Sequence, residues 1–530
     1  MKKLFILSLA GLLAVACELP KDMDMEALLD ENYNKEWATT FGETDPNHTW
    51  SMVDNKFVQI ELDEPARVKI YVKGEKNYKL AADYENVQGN CELAFDAPAG
   101  CTDVYVTVNG IPYECNKANA RGTMAAAAGD VISSMDGDYV YYNFGDIKKF
   151  KNDATTLPER VNNTEKVTMD YEVISNGEPY KFYPLFWNAV LYHTFGLYYY
   201  ENGERKEVEF YADKKGDYLQ YKDSEGNWID IETRYAYEGI FAQSNIADNE
   251  QVLRGKYFTI NLPKGTKFGF YANITSKSDE AEKHMGKFYS NPALNQEPNT
   301  SFSSFSYLEI DGNTYITIED LRNDDFDYND FIFIMEGTQD HISDKPFEYL
   351  YAVEDLGGTC DFDFNDIVFS VSHVSGQPHA NVKLLAAGGT LPAYICFDKF
   401  QSTEVHEMFG VDTKEMVNTK KGTTKKNMKA GKSFTVTVGA DWSHKAFSKE
   451  GNGFKVKVEK NGNTYEVETP GAGNSAAPQM LILPENWLWP TERTRISDAY
   501  PSFGEWGANY TNTEWVKNVV NENVVDWVGK

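Results

Sequence analysis

Two acidic stretches near the middle of the chain repeat one pattern. Glu319-Asp320-Leu321 leads into Asp325-Phe326-Asp327-Tyr328-Asn329-Asp330, and Glu354-Asp355-Leu356 leads into Asp361-Phe362-Asp363-Phe364-Asn365-Asp366. Each copy sets oxygen-bearing side chains at alternate positions, then breaks into an apolar run, Phe331 to Met335 or Ile367 to Val371, of the kind that forms a buried strand. Such loops suit a hard cation. Calcium takes six to eight oxygens from carboxylates, amide oxygens and carbonyls in flexible geometry, so it fits better than magnesium. The candidate ligands are Asp320, Asp325, Asp327, Asn329 and Asp330 in the first copy, and Asp355, Asp361, Asp363, Asn365 and Asp366 in the second. The same residue types also cap backbone N–H groups in Asx turns without any ion. A turn needs only one or two of them, whereas each copy carries at least five.

The spacing departs from an EF-hand. Asp325, Asp327 and Asn329 match its positions one, three and five, and Glu336 falls at twelve. Position six, however, holds Asp330 where that loop needs Gly, and the second copy has Ser372 at twelve. This is another loop type, and chemistry at carbon or phosphorus is not implied.

The N-terminus bears on location. Lys2 and Lys3 precede an apolar run from Leu4 to Val15, too short to span a bilayer but right for a secretory signal peptide over residues 1–16. The run ends in Leu12-Leu13-Ala14-Val15-Ala16-Cys17, small residues before a lone Cys in the manner of a relaxed lipobox, with Ala14 where the tightest form has Leu. Lipidation at Cys17 by several palmitate-type chains would anchor the protein stably in the outer membrane, which one chain alone would not. The alternative is an ordinary cleaved signal that leaves a free Cys. The stretch Lys21-Asp22-Met23-Asp24 resembles the export signals that carry such lipoproteins to the cell surface.

At 530 residues the chain is too long for one compact core. Its net charge of −30 argues against nucleic acid or anionic lipid as partner, since both select basic surfaces. With 33 Tyr and 31 Phe the composition favours strands, and 42% hydrophobic residues exclude a disordered chain. The fold class expected is mostly β, multidomain, with β-sandwich or jelly-roll-like domains and few short helices. Five Cys remain after Cys17, without Cys-x-x-Cys spacing, which argues against zinc. An oxidising exterior permits a Cys91–Cys101 bridge across a hairpin, although spacing does not fix the connectivity.

The pattern divides the chain into six segments. Residues 1–16 form the signal peptide, 17–50 a lipidated tether with a short helix near Met25 to Thr40, and 51–147 a small sandwich. A linker, 148–163, leads to a sandwich domain over 164–375 that carries both acidic loops, and then to a C-terminal β region over 376–530 with no sharp boundary before it. Trp37, Phe41 and Trp50 are expected to dock the tether onto the first domain.

Four motifs in order carry a resemblance. They are Phe41-Gly42-x-x-Asp45-Pro46-Asn47-x-x-Trp50, the paired acidic loops, Glu404-Val405-His406-Glu407-Met408-Phe409-Gly410-Val411, and Trp489-Pro490-Thr491-Glu492 with Ala499-Tyr500-Pro501. Together the chain resembles LruC-domain lipoproteins of Bacteroidetes over most of its mature length. The resemblance implies β domains, a surface or periplasmic location, no established activity, and an LruC-like C-terminal region.

An enzyme is not expected. The chain lacks Gly-x-Ser-x-Gly and His-Glu-x-x-His, and Gly431-Lys432-Ser433 lacks the first Gly of a phosphate loop. His406 beside Glu407 reads as a structural histidine, since no nucleophile can be assigned to it. Trp487, Trp489 and Trp506 read as packing residues before sugar-stacking ones. The expectation is a calcium-stabilised binding or adhesion module whose ligand is a glycan or surface protein. A fimbria-like structural subunit is the alternative, and a polysaccharide-processing enzyme stands behind both.

Overall fold

In the computed structural model the described residues are 25–74, 77–113, 132–134, 141–143, 172–187, 191–214, 218–222, 225–230, 251–253, 258–275, 284–296, 304–310, 313–320, 328, 330–336, 341–355, 360–444, 453–468 and 476–528. The expected signal peptide, Cys17 and the linker at 148–163 lie outside them. The protein is mostly β, with several sheets and few short helices, as the composition implied.

Among the described residues, four sheets of four or more strands organise the fold. A twelve-stranded sheet runs through Glu204–Lys214, Tyr192–Glu201, Lys267–Thr275, Glu172–Ile174 and His341–Pro346 to the long hairpin of Val53–Lys73 and Tyr78–Pro98. A six-stranded sheet orders Phe305–Ile310, Asn313–Ile318, Phe331–Met335, Tyr180–Trp187, Phe258–Ile260 and Ile132–Ser134. A five-stranded sheet orders Ser433–Thr437, His379–Ala387, Ile367–His373, Glu348–Val353 and Met480–Pro484, and a four-stranded one includes Ala393–Phe397 and Lys455–Lys460.

Two large apolar cores follow from this layering. One packs Phe195, Leu197, Phe268 and Phe270 of the twelve-stranded sheet against Phe182, Phe258, Ile316, Phe331 and Phe333 of the six-stranded sheet. Phe182 stacks on Phe333 with ring centroids 4.8 Å apart. The other joins residues of the first hairpin, the five- and four-stranded sheets and the C-terminal segment. Phe331–Met335 is buried at every position, as are Ile367 to Val371, so each strand behind an acidic loop sits at the centre of a core. In Lys455–Lys460, by contrast, Val456 and Val458 point inward and polar residues alternate with them.

The tether segment is a helix, Met25–Phe41, followed by a turn in which the Asp45 side chain accepts from the Asn47 N–H at 2.8 Å. It docks through Trp37, Phe41 and Trp50 into the core that also holds residues of the first hairpin. Trp37 meets Trp50, Phe362, Phe364 and Phe503 edge to face, and Phe41 meets Phe362. Beyond the turn, Ile482 donates to the Trp50 carbonyl at 3.0 Å and Met52 donates to that of Ile482 at 2.8 Å, so the tether extends the edge of the five-stranded sheet. The apolar surface that matches these rings is assembled from residues hundreds of positions away, which no local pattern can display.

Cys91 and Cys101 are free thiols. Tyr78–Pro98 is one continuous strand carrying Cys91, with Cys101 beyond its end. From Cys91 to Pro98 the strand runs roughly 23 Å at about 3.3 Å per residue, far outside disulfide reach. Trp487, Trp489 and Trp506 are all buried, in agreement with a packing role.

Because Trp37 contacts both the second acidic loop and the C-terminal helices, Trp37→Ala should destabilise the chain by about 3–5 kcal/mol. Denaturant unfolding at fixed calcium concentration measures this. An unchanged midpoint would show that the helix is not part of the cooperative unit.

Candidate metal centres at two hairpin tips

Both acidic loops close antiparallel hairpins at the same register. Ile318 pairs with Phe331 across the first, and Val353 with Ile367 across the second. The first tip belongs to the six-stranded sheet and the second to the five-stranded sheet, so the repeat serves two cores rather than one. At each tip the backbone N–H of the residue after the glutamate donates to the last aspartate: Asp320 to Asp330 Oδ2 at 2.5 Å, and Asp355 to Asp366 Oδ2 at 2.8 Å. The aromatic residue two positions before that aspartate is left-handed in both copies, with φ of 52° at Tyr328 and at Phe364. A bulky side chain rarely adopts this conformation, and its exact repetition marks a shared, constrained turn. Cys360 and Phe362 are left-handed as well.

The tips gather carboxylates. In the first, Glu319, Asp320 and Asp330 each offer an oxygen within 4.8 Å of the others. Asp320 also accepts the Leu191 N–H at 3.2 Å and lies 3.3 Å from His193 Nε2. Asp325, Asp327 and Asn329 lie outside the described residues. Glu336, the residue at EF-hand position twelve, is turned to Lys181 at 3.5 Å.

In the second tip the gathered trio is Glu354, Asp361 and Asp363, again within 4.8 Å. Backbone N–H groups aim these side chains: Phe364 donates to Glu354 Oε1 at 2.5 Å, Asn365 to Asp363 Oδ1 at 3.2 Å, and Arg493 to Asp363 Oδ2 at 2.8 Å. Asn365 sends its Nδ2 to the Pro490 carbonyl at 3.0 Å, which clamps the C-terminal segment to the tip. Asp355 and Asp366 stand beside the trio, joined by their own hydrogen bond.

Glycine forms one wall of this site. A Cβ on Gly388 would come within 2.3 Å of Asn365 Oδ1, and one on Gly389 within 2.4 Å of Asp355 Oδ2. The Gly389 carbonyl is held 3.0 Å from His406 Nε2, and His406 Nδ1 lies 2.8 Å from Glu404. His406 is therefore a satisfied structural histidine that supports the wall. On another side, Glu492 is fixed by its N–H to the Thr419 carbonyl at 2.8 Å.

Burial and like charge perturb these groups together. Asp330 is pushed up to about 9 by desolvation, then by Asp320 and Glu319. Glu354 is raised well above the carboxylate range by burial and next by Asp363, Asp363 by burial and next by Asp361, and Asp366 by burial and next by Asp355. Glu492 is raised by burial and Asp361. Such groups either hold protons or share a positive ion. The oxygen-only donor set of the second tip matches a hard divalent cation, whereas the first also offers an imidazole.

Sequence reading named the aspartates but passed over Glu319 and Glu354, although both stand in the repeated Glu-Asp-Leu. His193, Glu492 and the Gly388-Gly389 wall carry no signal of this kind, because only folding brings them to the tips.

Residues 262–338, which include the first tip, match the family model DUF4114, a domain of unknown function. No curated protein and no solved structure matches the chain.

Two outcomes follow. Gly388→Ala should cost about 1–3 kcal/mol by forcing Asn365 off its position, read as a fall in the unfolding midpoint. In chelator, stability should fall as pH rises from about 4 to about 9, because across that window folded Asp330 keeps a proton that the unfolded chain releases. Thermal midpoints measured across that range in chelator check the sign.

Proposed function

We propose that the protein is an outer-membrane lipoprotein, anchored through Cys17 at the cell surface, whose two acidic hairpin tips bind calcium and stiffen a binding or adhesive surface. The observation that carries the reading is the second tip, where Glu354, Asp361 and Asp363 converge within 4.8 Å beside Asp355 and Asp366. The donors that aim Glu354 and Asp363 are backbone N–H groups, which orient the carboxylates and leave their charges uncompensated. A divalent cation would supply that compensation and release the protons that burial otherwise retains.

Glu354, Asp361 and Asp363 would hold the ion at the second tip, with Asp355, Asp366 and Glu492 around it. Glu319, Asp320 and Asp330 would do so at the first, together with Asp325, Asp327 and Asn329. The ion would act through structure. At the second tip it would fasten the loop against the Gly388-Gly389 wall and the segment of Pro490 and Arg493, and through Phe362 and Phe364 against the N-terminal helix. The stiffened surface would receive a glycan or a surface protein. The resemblance to LruC-domain lipoproteins supports the anchor and the location.

Thermal unfolding of the chain from Glu18 onward, in calcium and in chelator, tests this directly. Calcium at a hundred times the dissociation constant of a tip should add about 2.7 kcal/mol for each tip it occupies. Asp363→Asn should remove the contribution of the second tip and Asp330→Asn that of the first. Identical midpoints in calcium and chelator would sink the proposal and leave the tips as hydrogen-bonded turns.

A further inference from the structure

Away from the tips, a buried lysine and glutamate and a half-buried asparagine meet where two strands share one edge of Lys267–Thr275. Glu172–Ile174 pairs with its start, at Lys267 and Phe268, and His284–Tyr289 pairs with its later part, from Tyr271 onward. Lys267 Nζ lies 2.8 Å from Glu172 Oε2, and both side chains are almost wholly buried, at 3% and 7% exposure. The same Oε2 accepts from Asn291 Nδ2 at 3.0 Å. One carboxylate oxygen thus holds an amine and a primary amide within about 6 Å of each other. The Asn291 carbonyl is already engaged: its Oδ1 accepts the Ala293 N–H at 3.0 Å, and Pro292 stiffens the backbone between. Tyr198 donates to Glu172 Oε1 at 3.1 Å, and the Tyr200 ring lies 4.8 Å from Lys267 Nζ.

These four groups fill the roles of an amide-forming centre. Lys267 is the nucleophile, Asn291 Cγ the electrophile, Glu172 the proton carrier, and the Ala293 N–H the donor where negative charge develops. We propose that Lys267 and Asn291 join in an intramolecular isopeptide bond, with Glu172 as the catalytic acid and base. Glu172 takes a proton from the Lys267 ammonium, and the freed amine adds to Asn291 Cγ. Glu172 then passes its proton to Nδ2 and takes another from Nζ. The Cγ–Nδ2 bond breaks and ammonia leaves, so one amide replaces another without any change of oxidation state. Within the apolar interior the reaction exchanges a buried ion pair for a neutral amide and a neutral carboxylic acid. The new amide keeps one N–H, and the Gly110 carbonyl, now 2.7 Å from Nζ, is placed to accept it. The bond would tie the start of the strand to the turn after its neighbour and close the intervening chain covalently.

Mass spectrometry of the full chain, purified from cells that express it and digested, decides the matter. The expected product is a branched peptide in which Lys267 is joined to Asn291, lighter by one ammonia, about 17 Da, than its two parts together. Glu172→Gln should yield only the separate linear peptides. Wild-type digests that contain only linear peptides with unmodified Lys267 and Asn291 would overturn the proposal, and this readout needs no variant to fold. A branched peptide that persists in Glu172→Gln would overturn the role given to Glu172.

Discussion

Carboxylates crowded at the tips of two hairpins set the terms for the rest of this fold. Desolvation and mutual repulsion both oppose burying Glu354, Asp363 and Asp366 together beside Asp361, and backbone N–H groups alone do not cancel either. The arrangement persists because the chain around it is heavily committed. Phe362 and Phe364 hold left-handed backbone and sink their rings into the core, so the intervening aspartate is fixed by the burial of its neighbours. Apolar burial on each side thereby carries the unfavourable electrostatics, and a cation would turn that opposition into a clasp.

The second tip is also where distant parts of the chain meet. The helix Met25–Phe41 packs on Phe362 and Phe364, Pro490 and Arg493 bond to Asn365 and Asp363, and Gly388 with Gly389 approaches closely enough to exclude a side chain. The first tip draws instead on Leu191 and His193. The two copies share their hairpin register, their left-handed aromatic and their backbone hydrogen bond, and differ in what surrounds them. Duplication has preserved the turn while each core has supplied its own walls.

Much of this was legible in the residues. The acidic repeat marked both tips, the apolar runs behind them marked central strands, and Trp37, Phe41 and Trp50 marked the face by which the N-terminal helix docks. The docking partner was not legible, nor was the separation of the two loops into different sheets, because strand order depends on pairings such as Tyr351 with Ile482 that join residues far apart. The free Cys91 and Cys101 carry the same lesson: ten residues suggest a hairpin until a single strand is found to run through most of them.

The sequence by itself determined the composition of the sites and the class of the fold. Period-two patterning, aromatic content and oxygen-bearing side chains at alternate positions are local properties, so strands, tips and candidate aspartates could be read from them. Only the tertiary structure decided which carboxylates converge, that Glu354 rather than Asp355 stands with Asp361 and Asp363, and that Gly388-Gly389, Glu492 and His193 form the walls. The meeting of Lys267, Glu172 and Asn291 belongs to the same category. Burial and proximity are created by packing between elements, and a linear pattern holds no record of which elements those will be.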